Sequence, residues 1–247
     1  MAQNTDMAHQ GAEPRGPGTG ERKRSTPRAR TRQGTRGQWI WMISLGIVMT
    51  AFLAIMVPPY LTLDPSQSGV VLNEGFSLHY PMVIVHVAFG TVAQLSLFLQ
   101  VWPWLRRHHP AVHRWNGRVY VFGGVLPSGL SSLVLVPFHP TAGTVGVGVA
   151  AVLWLATTAV GHVRARQRRF AEHRRWMIYS FAIVTGLNFW GLAIVMAGQV
   201  VSPSLDIDYL FEAARWFGWM LNLFIAQWWL ERTARRPLAG VTGTDRA

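Results

Sequence analysis

Six long apolar runs constrain the fold of this chain more than any other feature of its sequence. Each run has roughly 20 residues, the length of helix that crosses about 30 Å of hydrocarbon. A spanning segment must satisfy its own backbone hydrogen bonds, so each run predicts a helix. The sequence therefore predicts an all-α, polytopic membrane bundle of six transmembrane helices. The predicted spans are residues 39–61, 79–103, 117–138, 142–162, 176–198 and 209–230.

The charges between the runs predict the orientation, because cytoplasmic loops collect Lys and Arg. Loop 62–78 has no Lys or Arg, whereas loop 104–118 has four arginines. Segment 163–175 then has six arginines, and loop 199–208 has only aspartates as charged residues. This alternation predicts a multi-pass protein of the cell inner membrane with both termini in the cytoplasm.

The net charge of +12 does not indicate a nucleic-acid partner, because the basic residues lie in short blocks between spans. The predicted partner is the lipid bilayer, and the sequence identifies no protein partner. Residues 1–37 carry eight Lys or Arg and few apolar residues, which predicts a disordered cytoplasmic tail. Residues 38–232 form the predicted membrane domain, and 233–247 a second cytoplasmic tail.

The chain has no cysteine, which excludes disulfides, thiolate metal sites, iron–sulfur clusters and thiol nucleophiles. Any metal or haem must therefore use histidine, methionine or oxygen ligands.

Histidines on the predicted cytoplasmic side are the first candidate site. Arginine and tryptophan at these positions are explained by topology and interface anchoring, but histidine is not. Imidazole binds haem iron, zinc, copper and nickel, so converging histidines indicate either a haem or metal site or interface residues bonded to carbonyls. His113 and His173 each precede an arginine and an apolar run, and His162 ends the fourth span. We predict that His113 and His173 lie close together, surrounded by Arg114, Arg118 and Arg174.

His86 is a separate candidate, because it lies inside the second predicted span, where an ionisable side chain usually marks a site. It should lie about 10 Å inside the outer boundary, too far from His113 to share a metal. Its predicted neighbours are Asn188, Glu212 and Arg215. Glu212 and Arg215 are three residues apart, so they form either an internal ion pair or part of a site for an anion or proton.

Two stretches carry a resemblance to a known family: VHVAFGTVAQLSLFLQVWPWLRRHHPAVHRWNGRVYV and WLATTAVGHVRARQRRFAEHRRWMIYS. Over residues 80–195 the chain resembles the bacterial membrane proteins called DUF2306. The resemblance implies a multi-helix membrane fold but no activity. One departure is Tyr179, where the resemblance implies an arginine. The matching positions include His86, Gln100, His113, Arg114, Arg118, Tyr120, Trp154, His173, Arg174, Trp176 and Ser180.

Three functions stay open on sequence alone, and none of them establishes an enzyme. The first is a membrane redox protein with haem b or another histidine-bound metal, held by His86, His113 or His173. The second is a metal-free carrier for a proton-coupled or anionic solute, with His86, Glu212 and Arg215 forming the pocket. The third is a membrane scaffold or assembly partner whose loops bind lipid head groups or another membrane protein, with His and Arg pairing to phosphate.

Overall fold

Helices account for all regular secondary structure in the residues that the computed structural model describes, which are 30–139 and 142–234. The predicted all-α class is therefore confirmed. The chain divides into two compact units, Met1–Trp39 and Ile40–Ala247. Of the first unit, only residues 30–39 are described, and they are helical.

A connection at 57–78 with two short 3-10 turns separates the first two helices, and the later connections are shorter. The helices are α1 Arg30–Met56, α2 His79–Val101, α3 Pro103–His108, α4 Pro110–Arg118, α5 Leu126–Leu135, α6 Thr144–Arg166, α7 Phe170–Thr185, α8 Gly191–Val201 and α9 Ile207–Ala234. Two π-helical segments make longer continuous rods. Val119–Val125 joins α4 to α5, and Gly186–Trp190 joins α7 to α8.

Five helical segments within the described residues are long and apolar enough to cross a membrane. They are Arg36–Tyr60, His79–Val101, Pro110–Phe138, Thr144–Arg166 and Phe170–Val201. These segments correspond to the first five predicted spans, and the chain is a multi-pass membrane protein. The sixth predicted span falls in α9, whose 28 residues are enough for crossing. Arg215, Asn222 and Gln227 make α9 less apolar than the other five.

Helix boundaries extend beyond the apolar runs at the arginine-rich positions. The third of the five spanning segments begins at Pro110 and the fifth begins at Phe170, several residues before the predicted starts at 117 and 176. Likewise α1 begins at Arg30, so residues 30–37 of the predicted disordered tail are helical. Arginine and glutamine are good helix formers, so a helix need not stop where its apolar residues stop. The predicted tails at 1–29 and 235–247 lie outside the described residues.

The core is built by large apolar side chains from five helices. Met49 of α1, Leu97 of α2, Trp154 of α6, Ile183 of α7 and Trp219 of α9 belong to one buried cluster. Many other large apolar side chains lie on the outside of the bundle. An outer surface this apolar is suited to contact with lipid.

Each π-helical segment contains a glycine at a close helix crossing. A Cβ built on Gly124 would lie 2.7 Å from the Cα of Ala93 in α2. One built on Gly186 would overlap the backbone of Gly218 and Trp219 in α9. Small residues that let backbones approach closely are typical of helix contacts in membranes. The two π-helical segments therefore lie where α2 and α9 come into close backbone contact with the rest of the bundle.

Candidate functional site

The arginine-rich end of the bundle, which we call the basic end, comprises residues 103–118 and 163–175. Pro103 and Pro110 occupy the first turns of α3 and α4, where their missing N–H groups are tolerated. Between α6 and α7 the chain reverses at Arg168, whose φ of 60° is left-handed. At this end α7 packs against α6, and α4 packs against α2 and α3.

Three histidines lie at the basic end, each on a different helix. They are His113 of α4, His162 of α6 and His173 of α7. His173 is within electrostatic range of both His113 and His162. The structure thus places His113, His162 and His173, the three histidines that the sequence puts on one side, within electrostatic range of a common member, His173.

The imidazole of His173 is fixed by its own hairpin. Its Nδ1 lies 2.8 Å from the carbonyl oxygen of Gly161. A carbonyl can only accept, so Nδ1 carries the proton and donates it. In the neutral ring this leaves the Nε2 lone pair unprotonated, which is the arrangement that most metal-binding histidines share.

His113 is half-buried against the end of α2. Its carbonyl accepts a 2.8 Å hydrogen bond from Nε2 of Gln100, which ties α4 to α2. Its ring Nδ1 is buried and has no hydrogen-bond partner among the described residues. A buried ring nitrogen without a partner is uncommon in a folded protein and indicates a place where another group can bind.

Arginines surround this cluster. Arg106 and Arg114 are within electrostatic range of His113, and Arg118 and Arg166 are within range of His162. The side chain of Arg174 is exposed and stacks on Trp229, 5.1 Å from the ring centroid.

The nearest acid and the remaining aromatic residue of this region have other contacts. Glu172 forms ion pairs of 3.1 Å with Arg164 and 2.6 Å with Arg169. Trp176 packs edge-on against the ring of Tyr179. The basic end therefore keeps a net positive charge around its histidines.

A metal site made only of protein ligands has no support in the part of the chain that the structure describes. No group of three or more His, Cys, Asp or Glu side chains is placed there to hold a metal ion. Any cofactor at the basic end would therefore have to bring most of its own ligands.

His86 faces the bundle interior at α5. Its Nδ1 lies 3.0 Å from the carbonyl oxygen of Ser128, and the Ser128 hydroxyl bonds back to the carbonyl of His86 at 3.2 Å. A Cβ on Gly90 would come within 3.2 Å of that hydroxyl. The partner of His86 is thus Ser128, in place of the residues that the sequence analysis proposed.

Those other residues make separate contacts. Glu212 accepts a 2.8 Å hydrogen bond from the indole of Trp216. Arg215 donates to the carbonyl of Ala142 and stacks on Phe211, and it is within electrostatic range of Glu212. The three-residue spacing therefore does bring Glu212 and Arg215 near each other.

His139 lies at the end of the bundle opposite the basic end, in the connection between α5 and α6. Burial lowers the pKa of its imidazole to about 4, assisted by the positive charges of Arg215 and His79. The unfolded chain has the ordinary value of 6.5. Above pH 6.5 the His139 imidazole is neutral in both the folded and the unfolded protein, so it adds no pH dependence to stability there.

Acidification from pH 6.5 to about 4 should therefore destabilise the protein through His139, because only the unfolded chain takes up the proton. Thermal unfolding midpoints in detergent at several pH values, measured for the wild type and His139→Gln, would test this. The wild type should lose more stability than the variant across this window. Parallel curves would contradict the assignment.

A buried polar network joins α6, α7 and the first π-helical segment. The Tyr120 hydroxyl lies 2.8 Å from the hydroxyl of Ser180 and accepts a 3.2 Å bond from the indole of Trp154. Ser180 is also 2.7 Å from the hydroxyl of Thr158. All four residues are buried. Such a satisfied network fixes the mutual register of the helices that carry it.

Sequence reasoning found three members of this network only as positions of a resemblance, and it missed Thr158. The spacing of Trp154 and Thr158, four apart on one helix face, is the signal that could have identified it. Tyr120 and Ser180 are 60 residues apart, and no local pattern links them.

The family model described as "Predicted membrane protein (DUF2306)" matches residues 83–230. This range is 148 of the 247 residues, counted from 83 to 230 inclusive. It begins in α2 and ends within α9, and it contains the basic-end histidines, His86 and the buried network. No curated protein matches the chain, and no solved structure matches it.

Proposed function

The chain belongs to the DUF2306 family of predicted membrane proteins, and on that basis we propose that it is a membrane redox protein that binds haem through His113 and His173. The observation that carries the proposal is the pairing of these two histidines at one end of the bundle, within electrostatic range of each other. Haem with two imidazole ligands needs histidines at the same depth on neighbouring helices. The position of His113 and His173 at the same end of the bundle supports this pairing, whereas His86 lies inside the second span and does not pair with His113.

The state of the His173 ring supports ligation. Its Nδ1–H is held by the carbonyl of Gly161, so the ring cannot rotate freely and Nε2 is kept as the basic nitrogen. When a histidine binds a metal through one ring nitrogen, a hydrogen bond at the other ring nitrogen orients the ring and raises its basicity. This part of the site is provided by backbone, at a glycine where α6 and α7 touch.

The number of protein donors favours haem over a bare metal ion. Zinc and similar ions need three or four protein ligands, and no such group exists among the described residues. A porphyrin supplies four nitrogen ligands itself, so two imidazoles complete the iron. Bound haem would provide one-electron transfer, while His113 and His173 would hold it and the Gly161 carbonyl would orient the His173 imidazole.

The arginines support the same assignment by charge. Haem carries carboxylate groups, and Arg114 and Arg118 are exposed and lie within electrostatic range of His113 and His162 respectively. Arg–carboxylate pairs are among the stronger charge-assisted hydrogen bonds. The histidines as ligands for iron and the arginines as partners for its carboxylates both support a haem site at the basic end.

Absorption spectroscopy of the purified full-length chain would test the haem proposal. The wild type, expressed with a haem precursor and purified in detergent, should show a Soret band and visible bands that sharpen on reduction. His113→Ala and His173→Ala should each lose most of the bound haem.

His108→Ala is the matched control, because His108 is exposed at the same end and stacks on Trp104. Its spectrum should equal that of the wild type. A colourless wild type, or a Soret band that survives both substitutions, would show the haem assignment to be wrong. The carrier and scaffold functions would then be left.

We propose one haem per chain. The described neighbours of His86 include no second histidine or other charged group that could serve as the other ligand. Its hydrogen bond to the Ser128 carbonyl accounts for its position on the interior face of α2. A measured content of two haems per chain would restore His86 as a ligand.

The proposed orientation places the basic end and both termini in the cytoplasm, because that end carries the arginine-rich segments. Single cysteines can report this, since the wild type has none. Cysteines at Ser68 and Ser204 should react with an impermeant thiol reagent in intact cells. A cysteine at Gln167 of the basic end should react only after lysis, and the reverse pattern would overturn the orientation.

A further inference from the structure

The bundle contains a cavity of about 440 Å³ between α6, α7 and α9, separate from the histidines. Its size falls in the range of roughly 300–1,000 Å³ that ligand pockets occupy. The walls are mostly aliphatic and aromatic, with Trp219 and Phe224 of α9 providing flat surfaces. We propose that this cavity binds a membrane quinone, that is, an oxygen-substituted ring on a prenyl chain.

The polarity of the cavity lies mainly in two side chains, Tyr179 of α7 and Gln227 of α9. Arg175 donates its Nε–H to the Tyr179 hydroxyl at 3.0 Å, and that hydroxyl donates to Oε1 of Gln227. Nε2 of Gln227 donates in turn to Glu231 at 2.6 Å. The two lining residues are thus held by charged residues that do not line the cavity themselves.

This polar end can both donate and accept a hydrogen bond. A side-chain amide has two N–H groups, and the bond to Glu231 uses one of them. The second is available to a ring carbonyl. A hydroxyl oxygen has two lone pairs, and the bond from Arg175 uses one at Tyr179. The other can accept from a ring hydroxyl, so the site suits the oxidised and the reduced ring alike.

The charge of the lining selects a neutral ligand. No Asp, Glu, Lys, Arg or His lines the cavity. A fatty-acid carboxylate would lose its hydration there without a counter-charge in contact, and Glu231 lies behind the amide that it would approach. A neutral conjugated ring does not meet this penalty, and it can stack on the aromatic walls.

The cavity is accessible from the bilayer. Phe224, which forms part of its wall, is 70 % exposed on the outer surface of α9, and Met220 is exposed one turn away. In a membrane this surface faces acyl chains. A prenyl tail can therefore remain in lipid while the ring enters between α7 and α9.

Photolabelling of the full-length protein in lipid nanodiscs with an azido-quinone probe would test this inference. Cross-links should map to α7 and α9 peptides that line the cavity. Short-chain ubiquinone and menaquinone analogues should compete, and the one that competes at lower concentration identifies the ring class. Oleate at equal concentration should not compete.

Three variants of α9 make the test specific. Leu223→Trp fills the cavity and should abolish labelling, whereas Leu221→Trp, on an exposed position two residues away, should leave it unchanged. Gln227→Leu removes the donor and should weaken competition about tenfold, the effect of losing one good hydrogen bond.

If Leu223→Trp does not fold, Gln227→Leu still tests the proposal. Labelling outside the cavity, labelling that neither Leu223→Trp nor Gln227→Leu reduces, or equal competition by oleate would overturn the proposal. The haem spectrum does not enter this test, so either proposal can fail alone.

Discussion

Replacing Gly186 with alanine is expected to destabilise the protein strongly, because Gly186 lies at a close crossing between the α7–α8 rod and α9. The new Cβ would overlap the backbone of Gly218 and Trp219, which cannot rotate away as a side chain can. Overpacking of this kind costs about 1–3 kcal/mol, and we expect the upper end because the obstacle is main chain. Thermal unfolding and monodispersity in detergent would measure the loss.

Gly191→Ala is the matched control for this prediction. It lies five residues further along the same rod, and the nearest atom to its new Cβ would be the Ala214 oxygen at 3.8 Å, an ordinary contact. Alanine is also the better helix former, so Gly191→Ala should be neutral or slightly stabilising. If both variants unfold alike, close packing at Gly186 is not what holds α9.

Replacing Ser180 with alanine is the second large expected effect, a loss of about 1–2 kcal/mol. Ser180 is completely buried and bonds both Tyr120 and Thr158, so its removal leaves two hydroxyls with fewer partners. Single hydrogen bonds between membrane helices average about 0.6 kcal/mol and reach about 1.7, and Ser180 makes two. Unfolding in a denaturing detergent would give the difference in free energy.

Ser131→Ala provides the comparison, because Ser131 is also buried but bonds only the carbonyls of Pro127 and Ser128 in its own rod. Local bonds of this kind add little to helix stability, so a much smaller loss is expected. Equal losses in the two variants would mean that the network contributes nothing beyond ordinary burial.

Span length was the part of the fold that the sequence predicted well. Residues 79–103 and 142–162 appear as α2 and α6 with small shifts, because about 20 consecutive apolar residues leave few alternatives to a helix in lipid. The ends were less predictable. At Pro110 and Phe170 the helix continues into basic sequence, where apolar length carries no information.

The candidate site was predictable as a set of residue types and only partly as contacts. The shared side of His113 and His173 followed from counting spans. The bond from His173 to the Gly161 carbonyl depends on the turn at Arg168, which sequence spacing does not encode. Ser128 was missed as the partner of His86 because a serine in a spanning helix is usually read as packing between helices.

The π-helical segment at Val119–Val125 rotates the side-chain faces of α4 relative to those of α5 within the continuous segment Pro110–Phe138. A π-helical turn accommodates one residue more than an α-helical turn, and one residue of α-helix corresponds to about 100° of rotation. Deleting a single residue there would let the rod become continuous α-helix and would turn α4 relative to α5 by roughly that angle. His113 would then point away from α7 although every side chain around it was intact. The alignment of the basic end with the buried core is thus encoded in the number of residues between them, and substitutions alone would not reveal it.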